Sequence, residues 1–491
     1  MKKIFEIIGS LKEKYNSLAL PVKAALWFFV CTFLQRAISA ISTPIFTRLL
    51  TTEEYGQYNV FVSWESILAV VVTLSLSSGV YMQGLVKFED KRDEYTSSLQ
   101  GLTLLLVSGA AIVYVAFSDF FNSIFSLTTP QMLMMFIFIW SSAVFAFWSA
   151  YQRVDYKYKM LVIVTLSFSL LQPIVSVICI MLSEDKVTAR IFGQTVVSIL
   201  FFAVLFVTQM KKGKVFYNKT FWKHALMFNL PLIPHYLSNT ILNSADRIMI
   251  SKMVGDREAG IYGLAYSVAI LMTMFNLALQ QTLEPWRYKK QKSGEQKDMA
   301  PVAYSTMILI AILNVLFIAF APEIIAIFAP GEYMEAIWIV PTVSMSTFFM
   351  YMFGWYANFE FYYEKTKYIM IATSIGAIFN IVLNYIFIGI FGYMAAGYTT
   401  LVCYIIYAMA HYYFMRKICK QKLSGMKVYD VRIIIGISIV FLLCGFGLQF
   451  TYMNSVVRYT IILLMFALIL AMRKTIYGQL KKIVLIKKEN G

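Results

Sequence analysis

The chain of 491 residues is 59% apolar and only 14% charged, with a mean hydropathy of +0.67; a soluble domain carries roughly 45–50% apolar and about 25% charged residues. At ~20 apolar residues per crossing, this is enough for about fourteen membrane spans. It excludes a purely water-soluble enzyme and a disordered chain. The formal charge of +17 would suggest a polyanionic partner in a soluble protein, but the placement of the lysines and arginines gives it another meaning here.

At the start of the chain, residues 1–20 set Ile4, Phe5, Ile7, Ile8 and Leu11 against Lys2, Lys3, Glu6, Lys12 and Glu13. This is the pattern of an amphipathic helix lying in the cytoplasmic interface. No small-residue cleavage site follows a short apolar core, so no removable secretory signal is expected. Apolar runs of spanning length follow at 24–46, 60–84, 97–117, 130–150, 160–182, 189–209, 226–251, 259–283, 301–320, 337–358, 368–388, 393–415, 432–450 and 457–472. None alternates polar and apolar residues as a barrel strand would. The expected fold class is an all-α membrane protein with about 14 transmembrane helices.

Between the runs, Lys and Arg alternate in abundance. The N-terminal segment, the loops after even-numbered runs and the C-terminal tail hold 34 of them, whereas the loops after odd-numbered runs, with the edge of the last run, hold five: Arg48, Lys186, Lys252, Arg257 and Arg458. This is the positive-inside pattern, and it places both termini in the cytoplasm. Attraction to anionic headgroups is a secondary consequence. The longest connections, near 210–225, 284–300 and 321–336, are about 16 residues, which leaves no room for a soluble domain. Cys31, Cys179, Cys403, Cys419 and Cys444 are dispersed without a CxxC or a His at metal spacing, so neither a disulfide framework nor a zinc site is expected.

The segment Arg48–Tyr58 repeats as Lys252–Tyr262: Glu54, Gly56 and Tyr58 match Glu258, Gly260 and Tyr262 at a constant offset of 204. Both copies follow an odd-numbered run. The expected organisation is an N-terminal lobe over 1–210 (interfacial helix and spans 1–6) and a C-terminal lobe over 223–415 (spans 7–12). Residues 416–491 then hold spans 13 and 14 and a basic tail. Six spans per lobe make the repeat parallel.

Intramembrane polar residues cost free energy and are therefore informative. In span 1, Thr32, Gln35, Arg36, Ser39 and Thr43 fall three and four apart, on one helix face. His235, Asn239, Asn243 and Asp246 form the matching face of span 7, and the offset sets Gln35 on Asn239, Ser39 on Asn243 and Ser42 on Asp246. Glu65 lies near the outer end of span 2; Tyr266, Thr273, Asn276, Gln280 and Glu284 follow in span 8, and Thr373, Asn380 and Asn384 in span 11. Such residues also join helices through hydrogen bonds without binding anything. Arg36, twelve residues into a run of 23, is too deep to snorkel easily and is expected to face a wet cavity or a carboxylate. The repeated stripe describes a polar cleft between two bundles, with Asp246 and Arg247 as gate or ligand.

At these residues the chain resembles the polysaccharide exporters, the Wzx-type lipid-linked oligosaccharide flippases, within the exporter superfamily that also holds the multidrug and toxic-compound extruders. The resemblance rests on Thr43-Pro44, Arg48-Leu49-Leu50 and Glu54-Tyr55-Gly56. It continues through Pro231, Pro234, Asp246-Arg247, Gly255, Ala259-Gly260-Ile261-Tyr262 and Ala265-Tyr266, then Pro322, Tyr333, Asn380, Asn384, Gly392 and Ala395-Ala396-Gly397. It covers roughly residues 20–415.

The resemblance implies two six-helix bundles that alternate between inward-open and outward-open states. It also implies movement of an undecaprenyl-pyrophosphate-linked oligosaccharide, for capsule, O-antigen or a related surface glycan, across the bacterial cytoplasmic membrane. Arg36 suits a pyrophosphate, which a guanidinium grips with several charge-assisted bonds, and Gln35, Ser39, Asn239, Asn243 and Tyr266 suit sugar hydroxyls. Glu65, His235, Asp246 and Arg247 are the coupling or gate candidates, with H+ or Na+ as the coupling ion and no other cofactor. A polymerase and glycosyltransferases are the expected partners, besides lipid; nucleic acid is not. A cation-coupled drug exporter and a lipid II flippase of the same superfamily are the nearest alternatives. An enzyme is not expected, because no outside loop is large enough to carry catalytic groups and no Ser/His/Asp set surrounds the three histidines.

Overall fold

A computed structural model describes residues 15–17 and 19–471. The amphipathic segment over residues 1–14 and the basic tail beyond 471 lie outside the described residues. The described chain is largely helical, and among the described residues each apolar run falls mainly on helix. In order the helices are α1 (Leu20–Leu49), α2 (Thr52–Thr73), α3 (Gly79–Lys87), α4 (Arg92–Ala116), α5 (Ser118–Phe125), α6 (Thr129–Val154), α7 (Tyr158–Met181), α8 (Lys186–Gly213), α9 (Lys219–Asn229), α10 (Ile233–Met253), α11 (Asp256–Ala269), α12 (Thr273–Lys292), α13 (Met299–Ala319), α14 (Ala321–Phe328), α15 (Val340–Tyr362), α16 (Thr366–Phe391), α17 (Ala395–Lys422), α18 (Val431–Gln449) and α19 (Ser455–Ala471).

Local chemistry starts several of them. Asp185, Asn218 and Asp430 accept from backbone N–H groups at the starts of α8, α9 and α18, which satisfies donors a helix otherwise leaves free. Thr128 and Gln131 close a capping box at α6.

Among the described residues, nine helical segments are long and apolar enough to cross a membrane, or ten if the pair 331–338 and 340–362, bent by 47°, counts as one span. Fourteen crossings are therefore not established. The shortfall falls on α2, α10 and α17, whose polar side chains lower their hydropathy, and on α19, which is short. The chain is a multi-pass helical membrane protein.

The helices gather into two compact units: one runs to Leu50 and resumes over Trp64–Tyr236, and the other holds Thr51–Ser63 and everything from Leu237 onward. Within the first, the connection after α8 folds back onto its own bundle. Phe221 and Ala225 of α9 join Val80, Tyr81, Tyr95, Leu99 and Phe147 in one apolar cluster. The Asn229 amide donates to the carbonyls of Leu74 and Ser75 at 2.7 and 2.8 Å. Those residues have φ of 51° and 49°, a left-handed conformation that L residues rarely adopt, and they break the run read as 60–84 into α2 and α3.

In the second unit α15 is the central helix, with 18 of its 23 residues buried. The start of α2 belongs to this unit and crosses α11 at glycine. A Cβ on Gly56 would stand 1.8 Å from the Asp256 carbonyl oxygen, and one on Gly260 would stand 2.0 Å from that of Thr52. Residues 52 and 256, like 56 and 260, are related by the offset of 204, so the crossing is reciprocal: each copy's glycine meets the other copy's carbonyl.

Candidate functional site

In the second unit, α10 carries Asp246 into a space closed by α11, α16 and α17. The carboxylate is 1% exposed and is enclosed by donors. Tyr262 Oη and Thr400 Oγ1 donate to Oδ2 at 2.6 and 2.8 Å, and the amides of Asn380 and Asn384 donate to Oδ1 at 3.2 and 2.5 Å. Thr399 donates in turn to Asn384 Oδ1. Asn380 and Asn384 reach one carboxylate because they sit four apart, on one face of α16. A buried carboxylate survives only when such hydrogen bonds replace its water. No cation side chain is among these partners.

Next to this cage, Arg247 and Tyr266 form a second arrangement. The guanidinium lies 4.3 Å over the Tyr266 ring, a cation–π contact. It donates to the Asn243 carbonyl at 3.1 Å and approaches Ser63 Oγ at 3.5 Å. Tyr266 and Tyr404 both donate to Asn243 Oδ1, at 3.0 and 3.2 Å. The structure thus brings Asn243, Asp246, Arg247 and Tyr266 together, while Asn239 on the same helix is exposed.

The other expected site residues, Gln35, Arg36, Ser39, Glu65 and His235, belong to the first unit. The Gln35 amide donates to Ser169 on α7 at 3.4 Å, a contact between helices, and Ser39 is exposed. Arg36 is half-buried and partnered. It is not the most enclosed arginine: Arg190, Arg287 and Arg458 are 8%, 4% and 3% exposed, and Arg190 lies 3.7 Å over Phe46. Sequence depth marks position along a span, whereas burial depends on which face the neighbouring helices cover. Glu65 and His235 are each half-buried.

Sequence reading left out Thr399, Thr400 and Tyr404. Threonine in an apolar helix bonds its own backbone readily, as Thr399 also does to Ala396, so its presence alone signals nothing. The available signal was spacing: Thr400 and Tyr404 are four apart, on one face of α17.

Outside the spans, Tyr393 donates to Glu335, which Arg257 also approaches at 3.4 Å. Burial, together with the neighbouring Glu335 carboxylate, pushes the Tyr393 hydroxyl well above its ordinary range.

The fold and the site together define a multi-pass helical membrane protein with a carboxylate held dry inside one helical unit. The polysaccharide biosynthesis protein family matches residues 22–291, more than half of the chain, and the chain belongs to that family. The MatE family matches residues 231–386. The chain is 22% identical over 191 residues to an uncharacterized membrane protein of Haemophilus influenzae, covering 38% of this chain and 46% of that one. It is 25% identical over 168 residues to Lsg locus putative protein 1 of the same organism, covering 33% and 40%. It thus spans less than half the length of these curated relatives.

Two solved structures share the fold. Lipid II flippase MurJ, in an inward closed conformation, has a TM-score of 0.69 at 16% identity, over 92% of this chain and 100% of that one. An inward-facing multidrug resistance MATE family transporter of the MOP superfamily has a TM-score of 0.62 at 14% identity, over 80% and 96%.

Proposed function

We propose that this protein is a flippase that moves an undecaprenyl-pyrophosphate-linked oligosaccharide from the cytoplasmic to the outer leaflet of the bacterial cytoplasmic membrane by alternating access. The observation that carries this reading is the polysaccharide biosynthesis family match over residues 22–291. Arg36 is assigned to the pyrophosphate, and Gln35, Ser39, Asn239, Asn243 and Tyr266 to the sugars. An inside-negative potential favours outward movement of the anionic headgroup by about 2.3 kcal/mol per charge per 100 mV.

Asp246 is assigned to the coupling cation, H+ or Na+. The cage supports this by its chemistry. Asparagine oxygen and nitrogen are interchangeable by rotation of the amide. With Asn380 and Asn384 turned, their carbonyl oxygens join the Asp246 carboxylate and the Tyr262 and Thr400 hydroxyls in an all-oxygen set, the donor type hard cations take. Among the described residues no group of three His, Cys, Asp or Glu is placed to hold a metal, so the set suits a monovalent cation rather than zinc or iron. Glu65 and His235 are further coupling candidates, and Arg247 is a gate candidate. The polymerase and glycosyltransferases of the same glycan are the proposed partners.

The test is complementation. In a strain lacking its own repeat-unit flippase, the chain is expected to restore surface polysaccharide, read by lectin labelling of intact cells. Failure at normal membrane abundance with every glycan type supplied, but rescue of a strain depleted of its lipid II flippase, would replace this substrate with lipid II. Drug efflux without glycan rescue would move the protein to the extruders.

A further inference from the structure

Away from the Asp246 cage, the second unit holds another ionisable site. Glu360, near the end of α15, faces His411 of α17 with Oε1 and Nδ1 2.8 Å apart, and both side chains are completely buried. The remaining polar atoms, Glu360 Oε2 and His411 Nε2, have no hydrogen-bond partner. The ring of Phe353 stacks on the imidazole at 5.3 Å and that of Tyr407 meets it edge-on at 4.5 Å. Two groups that can each gain or lose one proton, dry and, among the described residues, with no hydrogen-bond partner but each other, are an expensive way to join two helices.

The elements around the pair bring other titratable groups, but among the described residues none hydrogen-bonds either side chain. Arg287 of α12 donates to the Gly354 carbonyl at 3.1 Å and lies 5.0 Å from Trp355. Tyr368 of α16 stacks on Phe414, Tyr304 of α13 accepts from the Asp430 N–H, and Tyr429 rests 6.2 Å from the Phe359 ring. Tyr262 of α11 is committed to Asp246.

Charge counting selects one protonation state. A carboxylate beside a neutral imidazole carries one negative charge, and a carboxylic acid beside an imidazolium carries one positive charge. With a single proton between them the pair is neutral. A dry interior penalises either net charge, so the closed pair holds one proton. Hydronium supplies it when water reaches the pair, leaving a water molecule, and water removes it by the reverse step.

The site is tied to the cage by one helix face. Thr400, Tyr404, Tyr407 and His411 lie at spacings of four, three and four along α17. Eleven residues, about 16 Å of helix, separate the hydroxyl that bonds Asp246 from the imidazole that meets Glu360.

We propose that Glu360 and His411 form a proton-binding site, distinct from the Asp246 cage, that takes up and releases one proton during the protein's working cycle. The test uses the full chain in lipid nanodiscs with 15N-labelled histidine, which gives three imidazoles to follow. Proton release is titrated from acid to alkaline pH across the imidazole range, for the wild type and for Glu360→Gln and His411→Gln. The expected result is that each variant releases one proton fewer per chain, and that the wild-type release is matched by discharge of the His411 imidazolium or by loss of a protonated-carboxyl infrared band that Glu360→Gln lacks, according to which group holds the proton. Equal proton release in all three, or a wild type in which neither the His411 signal nor the carboxyl band changes, would overturn the proposal. Should a variant not fold, the wild-type His411 and carboxyl signals decide alone. No glycan is needed, so failure here leaves the flippase reading standing, and failure of that reading leaves this site standing.

Discussion

Asp246 accepts four side-chain hydrogen bonds, and its replacement tests its structural and its proposed coupling role separately. Asp246→Asn keeps the size and part of the hydrogen bonding but removes the charge. It is expected to cost about 1–3 kcal/mol of stability, read as a lowered melting temperature in detergent, and to abolish the dependence of transport on a cation gradient. Retained cation dependence would remove the coupling assignment. Arg36→Ala is expected to stop glycan export while the protein still inserts, and Arg36→Lys to restore it only partly, since Lys supplies charge without the planar fork. Normal surface glycan in Arg36→Ala, at normal abundance, would leave Arg36 as a packing residue. Asp246, Asn380 and Asn384 stood out in the sequence because polar residues in apolar runs are costly. Their common destination did not, since it depends on how α10, α16 and α17 pack. Glu360 and His411 were legible only as single residues at the ends of two runs.

At the scale of helices, the crossing of α2 and α11 gives the sharpest expectation. Gly56→Ala and Gly260→Ala each push a methyl group against a backbone carbonyl that cannot move alone, so each is expected to destabilise the protein by about 1–3 kcal/mol. Gly109→Ala supplies the control. It lies within α4 with nothing within 4 Å of its added carbon, and is expected to gain about 1 kcal/mol from helix propensity. Thermal unfolding of the three variants checks this, and a Gly56→Ala as harmless as Gly109→Ala would show that the helices do not meet there. The repeat of Glu54, Gly56 and Tyr58 at Glu258, Gly260 and Tyr262 was visible in the sequence. That the two copies pack against each other was not, because an offset records likeness and not contact. The break at Leu74 and Ser75 was hidden for a related reason: neither position is Gly or Pro, although Ser77, Ser78 and Gly79 follow, and the Asn229 side chain that holds it is 154 and 155 residues away. At the other end of the chain, Arg458 and Tyr459 of α19 both reach Glu323 on α14, and Tyr452 donates to the Ile318 carbonyl at 2.7 Å. The two helices read as an appendix are therefore fastened to the rest of the second unit by polar contacts.

For the whole molecule, composition and charge placement were the most legible features. The helical membrane class followed from 59% apolar content, and the alternation of Lys and Arg between runs gives the +17 its expected reading as a side-to-side asymmetry. Substrate and driving force were less legible, because they depend on a few side chains drawn from many spans. The central claim is movement of a lipid-linked oligosaccharide between leaflets, and a purified system tests it directly. The full chain is reconstituted into liposomes with undecaprenyl-pyrophosphate oligosaccharide, and the fraction of glycan open to an external glycosidase is followed after a cation gradient is imposed. The account predicts that the exposed fraction shifts in wild-type vesicles with the gradient, and does not shift with Arg36→Ala or in protein-free vesicles. Equal exposure in wild-type and protein-free vesicles, under every gradient of H+ and Na+, would contradict it.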